Sequence, residues 1–389
     1  MAKRFPLYAG EDRSGRISGR GRVDVPFLIL VLLLLTVGLA MLYSASLAQS
    51  MYDSGYRTSF LYFKKQAVCA LIGLGAMFAM SRLPVKLWYD GAWLLYAVSI
   101  GLLLLVLVAG ASVNGAKRWI NIAGIQFQPS EIAKFTMILL FARLTRSFGR
   151  EAKQFRYGVL GFGSALLGIL VPLALEKHLS AIMLMGLVAV VMMYVAGTHP
   201  KWLLAGAGAA VVFVLVYVTF MGYAGDRVTA WQHPEQDPGD TGYQILQSLY
   251  AIGSGGMFGL GYGKSRQKYL YLPFQYNDYI FAVICEELGL VGSLLIVALF
   301  AALILRGYWI ALRARDRFSS VLAAGLVTLI AVQTILNLCV VTNLLPSTGI
   351  ALPFFSYGGT ALAVNLGEMG LVLAVSRNRT STDITEDKP

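Results

Sequence analysis

The chain has 389 residues, 57 % of them hydrophobic and only 13 % charged, with 41 glycines besides. A soluble domain is about one-quarter charged and less apolar than this, so a soluble enzyme, a disordered tail protein and a disulfide scaffold are excluded. The net charge of +12 would suit nucleic acid in a soluble protein, but a membrane protein collects such an excess in its cytoplasmic loops; the membrane is the expected partner, and nucleic acid is not.

Residues 1–24 form a polar, basic, glycine-rich cytoplasmic segment. The apolar run that follows, from about Pro26 to Ala48, is too long for a signal-peptide core and lacks a small-residue cleavage pattern, so it reads as a retained first helix. Further apolar runs lie at about 64–81, 88–110, 129–147, 158–175, 179–197, 203–222, 279–305, 319–342 and 360–376. They bring the total to ten spans of roughly 20 residues, all helical because a backbone in lipid must satisfy its own hydrogen bonds. The predicted fold is an all-α integral membrane protein: a polytopic domain over 25–376 and a cytoplasmic tail over 377–389. With the N-terminus cytoplasmic, 21 of the 32 Lys and Arg residues fall on inside segments, which sets both termini inside. One outside loop, 223–277 between the seventh and eighth spans, is 55 residues long. Its amphipathic stretch Tyr243–Ile252 predicts a short helix in a packed cap. Cys69, Cys285 and Cys339 all sit in apolar runs, so neither disulfides nor a thiolate metal cluster is indicated.

The polar residues that interrupt this pattern are the candidates for chemistry. Glu131 and Lys134 at the start of the fourth span are three apart and share a helix face. They read equally as a neutralised pair that permits insertion and as an intramembrane functional site. Glu176-Lys177-His178 at the outer end of the fifth span reads as an interfacial turn, with too few ligands for a metal. Gly263-Lys264-Ser265 imitates a phosphate-binding loop, but Phe258 stands where its first glycine belongs, and an ATPase is rejected. Lys117, Arg118, Arg227, Lys264, Arg266 and Lys268 form a basic set on the outside, against the prevailing bias. Such a set points either to an anionic ligand such as a pyrophosphate or to lipid head groups. Asp278, just before the eighth span, reads on composition alone more readily as a helix N-terminal residue than as a base with a raised pKa. Glu286 and Glu287 point about 100° apart and cannot both face one cavity. Residues 343–360, with two prolines and three glycines, form a re-entrant segment walling a site.

Several of these stretches together resemble the SEDS family (shape, elongation, division and sporulation proteins). The motifs are Lys117-Arg118-Trp119, Gln128-Pro-Ser-Glu-Ile-Ala-Lys134, Gly242 through Gly256, Gln267-Lys268 with Tyr271-Leu-Pro273, Asn277-Asp278-Tyr-Ile-Phe-Ala, Glu286-Glu287-Leu-Gly289, and Leu345-Pro346 through Ser356-Tyr-Gly-Gly359. The resemblance runs over nearly all of residues 26–376 and leans toward the FtsW/SpoVE branch over RodA. It implies a glycosyltransferase of the bacterial cytoplasmic (inner) membrane that polymerises lipid II into peptidoglycan, working with a class B penicillin-binding protein. The family's essential aspartate matches Asp278, which makes it the catalytic residue rather than a cap. Lys117, Arg118, Arg227, Gln267, Lys268 and Ser356 are expected at the pyrophosphate and glycan, with Trp119, Glu131, Lys134, Glu176, His178, Glu286 and Glu287 as cavity-lining or structural polar groups. Where many members carry Pro-Asp-Leu-Gly, this chain has Lys177-His178-Leu179-Ser180, and Phe274 replaces a common glutamate. No cofactor is required by any motif and no metal ligand set is present in the sequence; Mg2+ or Mn2+ is the one ion the chemistry leaves room for. The competing readings are a lipid II flippase and a non-catalytic scaffold for a synthase.

Overall fold

The computed structural model describes residues 21–378 except 114–115, 123–124, 207, 209–222 and 237–240. The expected N-terminal segment, the C-terminal tail and the seventh span (203–222) therefore lie largely outside the described residues. Three long apolar helices open the fold: α1 (Val25–Asp53), α2 (Leu61–Arg82) and α3 (Val85–Ala109). Then come α4 (Pro129–Phe148), α5 (Phe162–Leu175, entered through a wide turn over Arg156–Gly161) and α6 (Leu179–Val195). The long loop contributes α7 (Tyr223–Gln232) and α8 (Thr241–Ser254), the latter covering the amphipathic stretch. Three further helices close the fold: α9 (Ile280–Leu312), α10 (Arg317–Val341) and α11 (Gly359–Arg377). Among the described residues, seven helical segments are long and apolar enough to cross a membrane. The protein is a multi-pass membrane protein, with α10 and α11 the most enclosed of these helices.

The expectation of an all-α fold needs one correction. Residues 111–127 form a three-stranded antiparallel sheet: β1 (Ala111–Val113), β2 (Ala116–Ile122) and β3 (Ile125–Phe127). The stretch is β-branched and alternating, and Asn114-Gly115 is the strongest short-range hairpin signal a sequence offers. Its backbone groups need partners, and a meander supplies them between α3 and α4.

At one end of the bundle Asp24 joins three helices. Its side chain caps α1 by accepting from the Phe27 amide (3.0 Å) and takes both Nε (3.0 Å) and Nη2 (2.9 Å) of Arg306 on α9. Its own amide donates to Ser376 Oγ on α11 (3.1 Å).

Toward the other end, α9 is broken at Gly289, whose φ of 67° no residue with a Cβ adopts cheaply. The break frees the carbonyls of Glu286 and Glu287 and the amides of Leu290 and Val291. The loop after α8 enters the gap and satisfies all four. Leu260 N donates to Glu286 O (2.9 Å), Gly261 N to Glu287 O (3.0 Å), Leu290 N to Gly256 O (2.9 Å) and Val291 N to Met257 O (3.1 Å). Irregular backbone at this depth is tolerated only when it is so repaired.

The two glutamates then hold the rest of the loop. Glu286 accepts from Ser265 Oγ (2.5 Å), Arg266 N (2.9 Å) and Gln267 N (3.3 Å). Glu287 pairs with Lys268 at 3.0 Å, both side chains fully buried, and accepts from Ser44 Oγ of α1 at 2.6 Å. Lys268 Nζ spends its other protons on Gly263 O (2.6 Å) and Ser44 Oγ (3.0 Å). Breaking one half of a buried pair strands the other charge and costs about 3–5 kcal/mol. Lys268→Met is therefore expected to lower the melting temperature of the purified chain sharply, and Lys268→Met/Glu287→Gln to recover much of the loss, followed by thermal unfolding in detergent.

Candidate functional site

Asp278 lies two residues before α9 begins, and the helix starts without using its side chain as a cap. The backbone on both sides of it is fixed by α10 and by the irregular segment between α10 and α11. Asn337 Nδ2 of α10 donates both to Asp278 O (2.7 Å) and to Ile350 O (2.8 Å). Ser356 Oγ donates to Asn277 O (2.6 Å) while accepting from Leu352 N (2.8 Å), and Tyr357 N donates to Tyr276 O (2.9 Å). Gln66 of α2, wholly buried, closes the far side by donating to Ser356 O (3.1 Å) and accepting from Gly358 N (3.2 Å). Gly349 then presses on the carboxylate: a Cβ there would stand 3.3 Å from Asp278 Oδ2, and its φ of +70° is already glycine's. Residues 276–278 and 349–358 thus behave as one backbone unit with the carboxyl displayed on it.

That carboxyl faces a cavity of about 920 Å3. Burial pushes the Asp278 pKa up to about 6 from the ordinary 3.8, and the Arg227 guanidinium draws it back down in part. Arg227 itself donates to Ser347 O at 2.9 Å. On another wall Glu131 and Lys134 of α4 make an ion pair at 2.7 Å. Arg118 of β2 reaches the same cavity, its guanidinium donating to the carbonyls of Glu176 and Lys177 at the α5–α6 turn. That turn holds the groups expected nearby. His178 lines the cavity, but burial, with Arg118 and Lys134 beside it, pushes its pKa down to about 3, so the imidazole is neutral. Burial raises Glu176 to about 8 against the pull of Arg118, so it is largely protonated at neutral pH.

The structure therefore gathers Arg118, Trp119, Glu131, Lys134, His178, Asp278 and Ser356 around one space. Others expected there are elsewhere. Lys268 is a correction: it is fully buried against Glu287 and cannot reach a pyrophosphate. Gln267 donates its amide to Glu286 and stays with that loop, off the cavity wall. Glu286 and Glu287 are both structural, and neither lines the cavity. The Ser356 hydroxyl is occupied in positioning Asn277. Lys117 lies in β2, and its side chain is outside those described. Two cations were missed: Lys64 and Lys65 at the start of α2 line the cavity, and the outside position that the distribution of basic residues predicts for them is the same signal that marked Arg118. Among the described residues no three His, Cys, Asp or Glu side chains converge as a metal site.

The chain matches the cell cycle protein family FtsW/RodA/SpoVE over residues 25–381. It is 38% identical to a Geobacter sulfurreducens protein named "Probable peptidoglycan glycosyltransferase FtsW", over 91% of this chain and 95% of that one. It is 39% identical to stage V sporulation protein E of Bacillus subtilis, over 91% and 97% of the two chains. Among solved structures, a chain from a peptidoglycan synthase complex, described for its coordination of polymerization and crosslinking, superposes with a TM-score of 0.78 at 28% identity, covering 92% of this chain and 99% of its own. The rod shape determining protein RodA of Thermus thermophilus gives a TM-score of 0.69 at 27% identity, over 92% and 97%.

A carboxyl that titrates near 6 inside a cavity has a direct signature. Modification of Asp278 by a hydrophobic carbodiimide, which needs the protonated acid, is expected to halve near pH 6 and to fade above about pH 8. Peptide mass mapping across a pH series reads this; half-modification below pH 5 would contradict the buried setting.

Proposed function

The chain belongs to the FtsW/RodA/SpoVE family and is a peptidoglycan glycosyltransferase, and we propose that it polymerises lipid II with Asp278 as the general base. The observation that carries this reading is the Asp278 carboxyl, fixed by its neighbours' backbone and displayed into a large polar cavity beside cations. In the proposed step the ionised carboxylate takes the proton from an acceptor sugar hydroxyl. The hydroxyl oxygen bonds to the anomeric carbon of the donor as the bond from that carbon to the polyprenyl diphosphate breaks. The electron pair leaves with the diphosphate, the anomeric centre inverts, and no covalent enzyme intermediate forms. The transition state resembles the oxocarbenium species of glycoside hydrolysis.

Charge gathers on the departing diphosphate, so cations fixed in advance contribute most. Arg118 is so fixed, by two carbonyls. Lys64 and Lys65 join it at the cavity, replacing Lys268 in this role. Arg227 keeps Asp278 from becoming too basic to ionise. We assign Glu131–Lys134 to ordering the wall and neutral His178 to hydrogen bonding rather than charge. No ATP is invoked, since the leaving group supplies the driving force, and a divalent cation that takes part would travel on the diphosphate oxygens.

The membrane arrangement proposed with this has ten spans: the seven long apolar segments, α4, α6 and residues 203–222. Both termini are cytoplasmic and the cavity opens on the outer face of the bacterial inner membrane, as the distribution of basic residues supports. The likeness to a chain of a peptidoglycan synthase complex supports a crosslinking partner, a class B penicillin-binding protein.

The test is purified chain with lipid II in detergent, where sidedness is abolished. Polymer is expected from the wild type and a loss of about 10²–10⁴ in rate from Asp278→Asn, the usual span for a general base. Because the base works ionised, the wild-type rate is expected to fall tenfold per unit as pH drops below about 6. Undiminished polymer from Asp278→Asn removes Asp278 from the role. Lipid II transfer across vesicles without polymer favours a flippase.

A further inference from the structure

The small sheet carries a patch that the proposed chemistry does not use. In β2 and β3, Asn121 faces Gln126 directly across the ladder, and Ile120 faces Phe127. Side chains alternate along a strand, so Trp119 shares the face of Asn121, and Gln128, still extended, shares the face of Gln126. All four line the cavity that holds Asp278. Among the described residues, no hydrogen bond occupies the side-chain amides of Asn121, Gln126 or Gln128. Asn121 and Gln126 are exposed in the cavity, and Gln128 and Trp119 are half-buried. The result is one indole and three side-chain amides without hydrogen-bond partners among the described residues, set along β2, β3 and the residue that follows, with no formal charge in the set.

We infer that this face of the sheet is a saccharide subsite that recognises the acetamido and hydroxyl groups of an N-acetylated sugar, separate from the cationic groups that meet the diphosphate. The inference rests on the glycan-polymerising reading, which supplies the kind of sugar. The chemistry of the patch selects a neutral ligand that both donates and accepts: each amide offers a carbonyl and an NH2, and an indole presents a flat apolar face with one polar tip. A diphosphate would gain little here, since it accepts only and calls for the Arg118 and lysine side chains instead. Amide pairs set in advance across a strand register also discriminate, because an analogue lacking the matching group leaves them unpaired. Arg118, between Lys117 and Trp119 on β2, joins the two functions: a single short strand would place the sugar and its phosphate leaving group in register.

The test uses the full chain in detergent micelles and soluble, lipid-free probes, so that neither polymerisation nor the diphosphate enters. Saturation-transfer NMR and titration are run with a β-1,4-linked tetramer of N-acetylglucosamine and with the corresponding glucose tetramer. The wild type is expected to bind the acetylated probe about tenfold more tightly than the glucose one, and Asn121→Ala/Gln126→Ala to lose at least about tenfold of that affinity. Both residues are exposed, so the double variant is expected to keep its melting temperature, which separates loss of a contact from loss of fold. Asp278→Asn is expected to bind the probe as the wild type does. Saturable binding that the double variant retains, equal binding of the two tetramers, or no binding by the wild type at 10 mM overturns the subsite. Failure of the base appears differently, as polymer from Asp278→Asn with probe binding intact.

Discussion

Everything the cavity does depends on holding a carboxyl out of bulk water without letting it find a partner. Desolvation alone favours the acid form, and a close cation would restore the ordinary carboxylate. Asp278 stands between the two, with burial dominant and Arg227 near enough to temper it. The means of holding it is the backbone rather than the side chain. Asn337 and Ser356 take the carbonyls of Asp278 and Asn277, leaving the carboxylate oxygens uncommitted by those contacts. A side-chain clamp would have fixed the same position while consuming the lone pairs that the proposed base needs. Gly349 serves the same end by coming close without offering a donor of its own on a side chain.

The break at Gly289 gives this arrangement its foundation. A straight α9 would leave the loop after α8 with no seat on the helix; the broken one offers two carbonyls and two amides to it. Lys268, Glu287 and Ser44 then tie that loop to α1 within a site closed to solvent. A buried ion pair is weak evidence for stability, since its desolvation offsets much of its attraction. It is better evidence for uniqueness, because the ammonium of Lys268 meets three acceptors at once, and a shifted loop would have to replace all of them. The loop is thereby placed by polar geometry where apolar packing alone would let it slide.

These relations explain what was legible beforehand. The long spans follow from hydrophobic runs, and the Glu131–Lys134 pair from a spacing of three on one helix face. Residues 343–360 announce an irregular wall through their prolines and glycines. Asp278 was legible only through the motif around it, because composition cannot distinguish an uncommitted carboxyl from a cap. Lys268 was misread because its partner is 19 positions away, on a helix whose break two residues further on the Glu-Glu-Leu-Gly289 sequence does not declare. A count of basic residues on one side of a membrane cannot tell which of them have already been neutralised within the fold. The sheet is hidden for a different reason: hydrophobic runs of membrane-spanning length mark helices, and strands of three to seven residues fall beneath that length.

With Lys268 removed from the cationic set, the remaining charges divide by rigidity. Lys64 and Lys65 are exposed and carry flexible stems, so in the proposed reaction they would attract a diphosphate over some distance yet gain little further as its charge grows. Arg118 is a planar fork whose Nε and Nη2 donate to two carbonyls at the α5–α6 turn, which orients the guanidinium. Only a group already oriented stabilises new charge without reorganising at the moment it appears. In the proposed reaction, capture and transition-state stabilisation would thus fall to different side chains. The neutrality of His178 fits the division, because another cation between Arg118 and Lys134 would repel both and loosen the Arg118 guanidinium.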